Sequence, residues 1–126
     1  MTEPCLSANT ILYCKKFQET LAFYRVMLGH DGHAIAEWFV EFSLNETAML
    51  SIADESRARI KSAGGCGITL SLRTRNIDHT WHELHQHGLK PGRIKNHAWG
   101  ANVFYLFDPE GHRIEIWQPL ASIHRK

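Results

Sequence analysis

The segment 67–73 alternates strictly between apolar and polar residues. This period of two predicts a β-strand with one face toward a core and one polar face. Three residues form the polar face: Thr69, Ser71 and Arg73. In the next segment the apolar residues recur at helical spacing, and Asn76 and Gly88 are residue types that favour the first and last positions of a helix. The pattern therefore predicts a strand followed by a helix.

The second half continues with three further strand candidates, at 89–95, 101–107 and 112–118. The sequence Asp-Pro-Glu-Gly joins the last two candidates and places Asp, Pro and Gly where a type I turn prefers them. On the last candidate Ile114 and Ile116 share one face, so Glu115 lies on the opposite face. The pattern therefore predicts a carboxylate among aromatic and basic neighbours on a polar strand face.

The first half follows the same plan. A strand is predicted at 9–14, a helix ending at Gly29, and strands at 34–42 and 47–53. The polar, glycine-rich segment between the halves is typical of a linker. The pattern predicts an α+β fold of two βαβββ modules within one domain. The predicted boundaries within the domain 1–126 are module one, 7–53; linker, 54–66; and module two, 67–120.

Charge and composition exclude several classes of partner. The chain has 14 Lys and Arg against 13 Asp and Glu, without a basic block, so no nucleic-acid partner is expected. No apolar run reaches the roughly 18 residues that a membrane helix needs, and the first residues lack the apolar core of a signal peptide. The 3 cysteines form no Cys-x-x-Cys motif, which favours free thiols and a cytoplasmic location.

Two segments resemble a known family. Residues 9–29 contain a strand and then a helix that carries Phe-Tyr and ends in Leu-Gly, and residues 99–117 contain the Asp-Pro-acid-Gly turn and a strand with Ile-Glu. In order and spacing they resemble the vicinal oxygen chelate superfamily, which includes glyoxalases, bleomycin-resistance proteins and extradiol dioxygenases. The resemblance covers residues 8–119. It implies two βαβββ modules with curved mixed sheets that form a cleft, and a homodimer.

The resemblance also implies where a metal ion would bind. Metal-dependent members of the superfamily use one side chain from the first strand and one from the last strand of each module. Four residues match these positions: Asn9, Ser51, Thr69 and Glu115. One carboxylate and three neutral oxygen donors are a weak ligand set for a divalent ion. We therefore predict a cleft without a metal or other cofactor, and keep a divalent ion as the alternative.

The polar strand faces favour binding of a small organic, aromatic molecule by stacking and hydrogen bonds. Eight ligand-binding residues are predicted: Asn9, Tyr13, Ser51, Thr69, Arg73, Trp99, Arg113 and Trp117. Glu115 would orient this ligand. The alternative is an enzyme, either a lyase, an isomerase or a ring-cleaving dioxygenase, in which Glu115 is a metal ligand or the general base. His97, predicted in a loop, is the candidate for a substitute ligand or base, although an ordinary loop histidine is favoured.

Overall fold

A computed structural model of the chain describes residues 1–120. The chain divides into two compact units, Met1–Gly64 and Gly65–Lys126. In the described residues each unit contains one α-helix and one four-stranded mixed sheet. This arrangement confirms the predicted α+β fold with two βαβββ modules. No helix of the described residues is both long and apolar enough to cross a membrane.

The first unit has its strands in the spatial order β1-β4-β3-β2, with β1 and β4 parallel and the other pairs antiparallel. Its elements are β1 (Ala8–Cys14), α1 (Phe17–Leu28), β2 (His33–Ala36), β3 (Phe39–Ser43) and β4 (Ala48–Asp54). Helix α1 buries Phe17, Leu21 and Tyr24, as the helical spacing predicts. It ends at Gly29, whose φ of 77° is easily adopted by a residue without a Cβ atom. The thiol of Cys14 is buried.

The second unit repeats this topology in the order β5-β8-β7-β6, again with the first pair parallel. Its elements are β5 (Thr69–Arg73), α2 (Ile77–Gln86), β6 (Lys95–His97), β7 (Ala101–Phe107) and β8 (Arg113–Pro119). The predicted cap of α2 is confirmed, because Asn76 Oδ1 accepts a hydrogen bond from the His79 backbone N–H at 3.0 Å. Ile77 and Leu84 of α2 are buried, and the core side of the sheet includes buried Ile114 and Ile116.

Two of the predicted strands are wrong in extent. The segment 34–42 is not one strand, since Glu37 and Trp38 form a turn between β2 and β3. No Gly, Pro, Asn or Asp marks that turn, so the sequence contains no conventional signal for it. The segment 89–95 is largely irregular, because Pro91 has no backbone N–H for a strand ladder. Strand β6 begins only at Lys95 and includes His97, which was predicted in a loop.

The predicted turn at 108–111 is confirmed and sets the register of the last hairpin. The Gly111 N–H donates to the Asp108 carbonyl at 3.0 Å, and the Asp108 N–H donates to the His112 carbonyl at 3.1 Å. Beyond this turn Phe107 pairs with Arg113, so counting outward along the hairpin brings Tyr105 opposite Glu115. The turn therefore determines which residues of β7 face the carboxylate.

One buried hydroxyl in α1 provides a test of the packing. Thr20 is 0% exposed, and no hydrogen-bond partner lies within reach of its Oγ1 in the described part of the chain. A buried hydroxyl without a partner is destabilising, so Thr20→Val is expected to raise the free energy of unfolding by about 1 kcal/mol in a urea titration. Thr80→Val is the matched control, because Thr80 Oγ1 bonds Thr74 Oγ1 at 2.7 Å and the Asn76 carbonyl at 3.1 Å. A loss of stability in both variants would contradict the conclusion that the Thr20 hydroxyl is destabilising because it lacks a hydrogen-bond partner among the described residues.

Candidate functional site

Glu115 lies in the middle of β8, between β5 and β7. Its backbone pairs with Ser71 on one side and with Tyr105 on the other. Ser71 Oγ donates a hydrogen bond to Glu115 Oε1 at 2.5 Å, and the Tyr105 hydroxyl donates to Oε2 at 3.4 Å. The side chain is only half-buried. Both oxygens of the carboxylate are therefore oriented by neighbouring strands while part of the group stays open to a ligand.

Aromatic rings adjoin this carboxylate. Trp117 follows two residues later on the same face of β8, and its ring centroid lies 5.7 Å from that of Trp99. Trp99 belongs to the turn before β7 and is 58% exposed. The His97 ring lies 6.0 Å from Trp99 and 6.4 Å from Tyr105. The two tryptophans thus provide stacking surface beside an oriented hydrogen-bond acceptor.

Two arginine side chains complete the arrangement. The Arg73 guanidinium lies 5.5 Å from the centroid of the Trp117 ring, and the Arg113 guanidinium lies 4.7 Å from that of Tyr105, both in cation–π geometry. Arg113 Nε also donates a hydrogen bond to Thr69 Oγ1 at 3.0 Å. A cavity of about 430 Å³ opens beside Arg73, at the end of the face where Gln118 and Pro119 lie. Its volume is in the range of small-ligand sites.

The structure brings together all the predicted site residues of the second unit. We call this surface the Glu115 face, and it consists of Thr69, Ser71, Arg73, Trp99, Tyr105, Arg113, Glu115 and Trp117. The three predicted residues of the first unit lie on a separate sheet. Asn9 and Ser51 contact each other there, since Ser51 Oγ donates to Asn9 Oδ1 at 2.9 Å. Tyr13 lies farther along β1 and lines a pocket with Trp38 and Phe39.

Two polar residues of these surfaces were missed in the sequence prediction, Glu41 and Tyr105, while Ser71 was placed on the polar strand face but not among the ligand-binding residues. Glu41 accepts a hydrogen bond from Asn9 Nδ2 at 3.5 Å and pairs with Ser51 across β3 and β4. The sequence did contain a signal for Glu41, because it lies between the apolar residues Val40 and Phe42, which are buried, and so faces the opposite side of the strand. Tyr105 could have been found by counting outward from the turn at 108–111, which determines the pairing with Glu115.

The positions that the resemblance assigns to a metal ion do not fit one. Thr69 Oγ1 already accepts from the Arg113 guanidinium, whose positive charge would repel a cation. Ser51 is fully buried and its hydroxyl is bonded to Asn9, while Glu115 is the only carboxylate of the four. Within residues 1–120, no three His, Cys, Asp or Glu side chains are grouped so that they could hold a metal ion. One carboxylate and three neutral oxygen donors are a weak ligand set for a divalent cation.

Comparison with known proteins gives a family and a fold. The family model for the glyoxalase/bleomycin resistance protein/dioxygenase superfamily matches residues 7–116. A glyoxalase/bleomycin resistance protein/dioxygenase from Nocardioides has a TM-score of 0.79 at 16% identity, covering 100% of this chain and 90% of its own. A glyoxalase/bleomycin resistance protein from Catenulispora acidiphila has a TM-score of 0.76 at 22% identity, covering 90% of this chain and 97% of its own.

A third solved structure, lactoylglutathione lyase from Agrobacterium tumefaciens, has a TM-score of 0.73 at 22% identity, covering 93% of this chain and 96% of its own. At these identities the likeness to the three structures concerns the fold alone. No curated protein matches the chain in a sequence search.

Proposed function

The chain belongs to the glyoxalase/bleomycin resistance protein/dioxygenase superfamily, and from that premise we propose that it binds a small aromatic molecule on the Glu115 face without a metal ion. The observation that carries the proposal is a half-buried carboxylate, oriented by two hydroxyls, beside the partly exposed rings of Trp99 and Trp117. A ligand with an aromatic ring and an N–H or O–H group would use both features. The ring would stack on tryptophan while the polar group donates to Glu115.

The charges of the face support a restricted ligand class. Arg73 and Arg113 bring two positive charges near the single negative charge of Glu115, so a strongly cationic ligand is disfavoured. Both guanidiniums are engaged with rings of the face, which holds those rings in place before a ligand arrives. A neutral or weakly acidic heterocycle with one donor group fits these surroundings best.

The NMR signals of the tryptophan side chains provide the test. The chain has 4 tryptophans, so an ¹⁵N-labelled sample gives one indole N–H signal for each. In a screen of small aromatic and heterocyclic compounds with EDTA present, a binding compound is expected to shift the Trp99 and Trp117 signals. Elemental analysis should find less than about a tenth of a metal ion per chain. Binding that disappears with EDTA and returns with a divalent ion would refute metal independence, and a screen that leaves Trp99 and Trp117 unmoved would refute the site.

A second candidate function is catalysis with Glu115 as general base. The observation that favours it is the accessible carboxylate itself, which a bound substrate could reach with a proton. Glu115→Gln distinguishes the two functions. For a binding protein the variant weakens affinity by roughly tenfold, the value of one charge-assisted hydrogen bond, and no product forms with either protein. For an enzyme, wild-type protein converts the bound compound, detected by mass spectrometry, and the variant binds it without converting it.

Two expectations from the sequence stay predictions. The resemblance implies a homodimer, which sedimentation velocity would detect. A cytoplasmic location follows from the free thiols, of which Cys5 and Cys66 are exposed.

A further inference from the structure

A second pocket lies entirely within the first unit and combines aromatic rings with arginine side chains. Its volume is about 340 Å³, which is within the range of small-ligand sites. The side chains that matter for its chemistry are Tyr13, Trp38, Phe39, Arg57, Arg59 and Ile60. None of these residues belongs to the Glu115 face, so the site described below does not depend on the proposed function.

The aromatic part of the pocket follows from strand register. Tyr13 pairs with Ala53, and Ala53 pairs with Phe39, so a small side chain separates two rings on one face of the sheet. Trp38 precedes Phe39 in the turn between β2 and β3, with its ring 5.7 Å from the Phe39 ring and nearly perpendicular to it. A hydrogen bond of 2.8 Å from the Asp54 N–H to the Trp38 carbonyl ties this turn to the end of β4. The three rings therefore lie near one another at one end of this sheet face and line the pocket together.

The basic part of the pocket follows from the segment after β4. The neighbouring carboxylates have other partners: Asp54 Oδ1 accepts from the Ser56 N–H at 3.0 Å, and Glu55 Oε1 accepts from the Ser62 N–H at 2.8 Å. In the part of the chain that the structure describes, neither Arg57 nor Arg59 forms an ion pair or a side-chain hydrogen bond, and both are exposed. Two guanidiniums without an ion-pair partner among the described residues thus line the same pocket as three rings.

We propose that this pocket binds a planar aromatic carboxylate. The ring would lie against Tyr13, Trp38 and Phe39, where its apolar faces leave water. The carboxylate would accept hydrogen bonds from Arg57 and Arg59, because a guanidinium presents paired N–H groups that match the two oxygens of a carboxylate. A neutral aromatic molecule would leave both positive charges unpaired, so the pocket prefers the anion.

The test uses matched pairs of probes, benzoate with benzamide and 2-naphthoate with 2-naphthamide. Trp38 is the tryptophan of the first unit, so its indole signal reports on this pocket, while Trp99 and Trp117 report on the Glu115 face. We expect at least one carboxylate to shift the Trp38 signal with an affinity about tenfold higher than that of its amide, which is the value of one charge-assisted hydrogen bond. Equal affinity of acid and amide would overturn the proposal, as would a Trp38 signal that no carboxylate moves.

The variant Arg57→Gln/Arg59→Gln is expected to bind acid and amide equally, while Arg93→Gln, at an exposed arginine of the second unit, keeps the preference for the acid. A preference that survives in the double variant would also overturn the proposal. If the double variant does not fold, the comparison of acid with amide on wild-type protein still tests whether the pocket prefers a carboxylate. Shifts confined to Trp99 and Trp117 would overturn this inference while supporting the proposed function, and shifts confined to Trp38 would support this inference alone.

Discussion

Replacing Asp108 with alanine is expected to lower the free energy of unfolding by about 3–5 kcal/mol, because it removes the acceptor of several buried donors and each buried donor left without a partner costs about 1–3 kcal/mol. Asp108 is buried, and its Oδ1 accepts backbone N–H groups of Glu110, Gly111 and His112 at 2.9–3.0 Å. Its Oδ2 lies 2.8 Å from Nδ1 of His112, which is also buried. Alanine would leave three backbone donors and an imidazole without this acceptor, so the loss should be measurable by urea denaturation.

Asp108→Asn is the matched control for this substitution. Asparagine keeps one oxygen for the three backbone N–H groups and replaces only the oxygen that contacts His112, so it should retain more than half of the stability that alanine loses. Because the turn sets the register that brings Tyr105 to Glu115, the alanine variant should also bind ligand more weakly on the Glu115 face. An alanine variant as stable as wild type would show that the turn holds its shape without this carboxylate.

The same turn explains why much of the second unit could be predicted from sequence. Asp108 and Gly111 are residue types with a strong local preference for this turn, while an apolar run before them and an alternation of Ile114 and Ile116 with polar or aromatic residues after them indicate strands. Local chemistry of this kind determines both the hairpin and the face on which Glu115 lies. The predicted residues Arg73, Arg113 and Trp117 meet on that face because strand parity alone places them there.

Several features of the first unit could not be predicted, because they have no local sequence signal. The turn at Glu37 and Trp38 consists of residues without turn preference, so one strand was predicted where two exist, and the position of Glu41 opposite Ser51 was missed. The segment after β4 was interpreted as a plain linker. Residues of this segment line a pocket together with Tyr13, more than 40 positions away, and no local pattern encodes such tertiary packing.

Replacing Trp117 with alanine is expected to weaken binding on the Glu115 face by roughly 30-fold to 1,000-fold, about 2–4 kcal/mol from lost apolar contact and ring stacking. Trp117 is central to the face, since its ring contacts both Trp99 and the Arg73 guanidinium. Alanine would therefore remove the stacking surface and also release two neighbours from their positions. Isothermal titration with the compound that gives the largest Trp99 and Trp117 shifts would measure the change.

Two further variants separate stacking from general damage to the sheet. Trp117→Phe retains a ring at the same place and should lose about fivefold or less in affinity, because most of the stacking contact remains. Ile68→Ala removes an apolar side chain that is 40% exposed directly before β5, on the opposite side from Thr69, and should leave binding unchanged. Equal losses in Trp117→Ala and Ile68→Ala would indicate a disturbed sheet. Full affinity in Trp117→Ala would remove the Glu115 face as the binding surface, since a ligand that stacks there must contact its central ring.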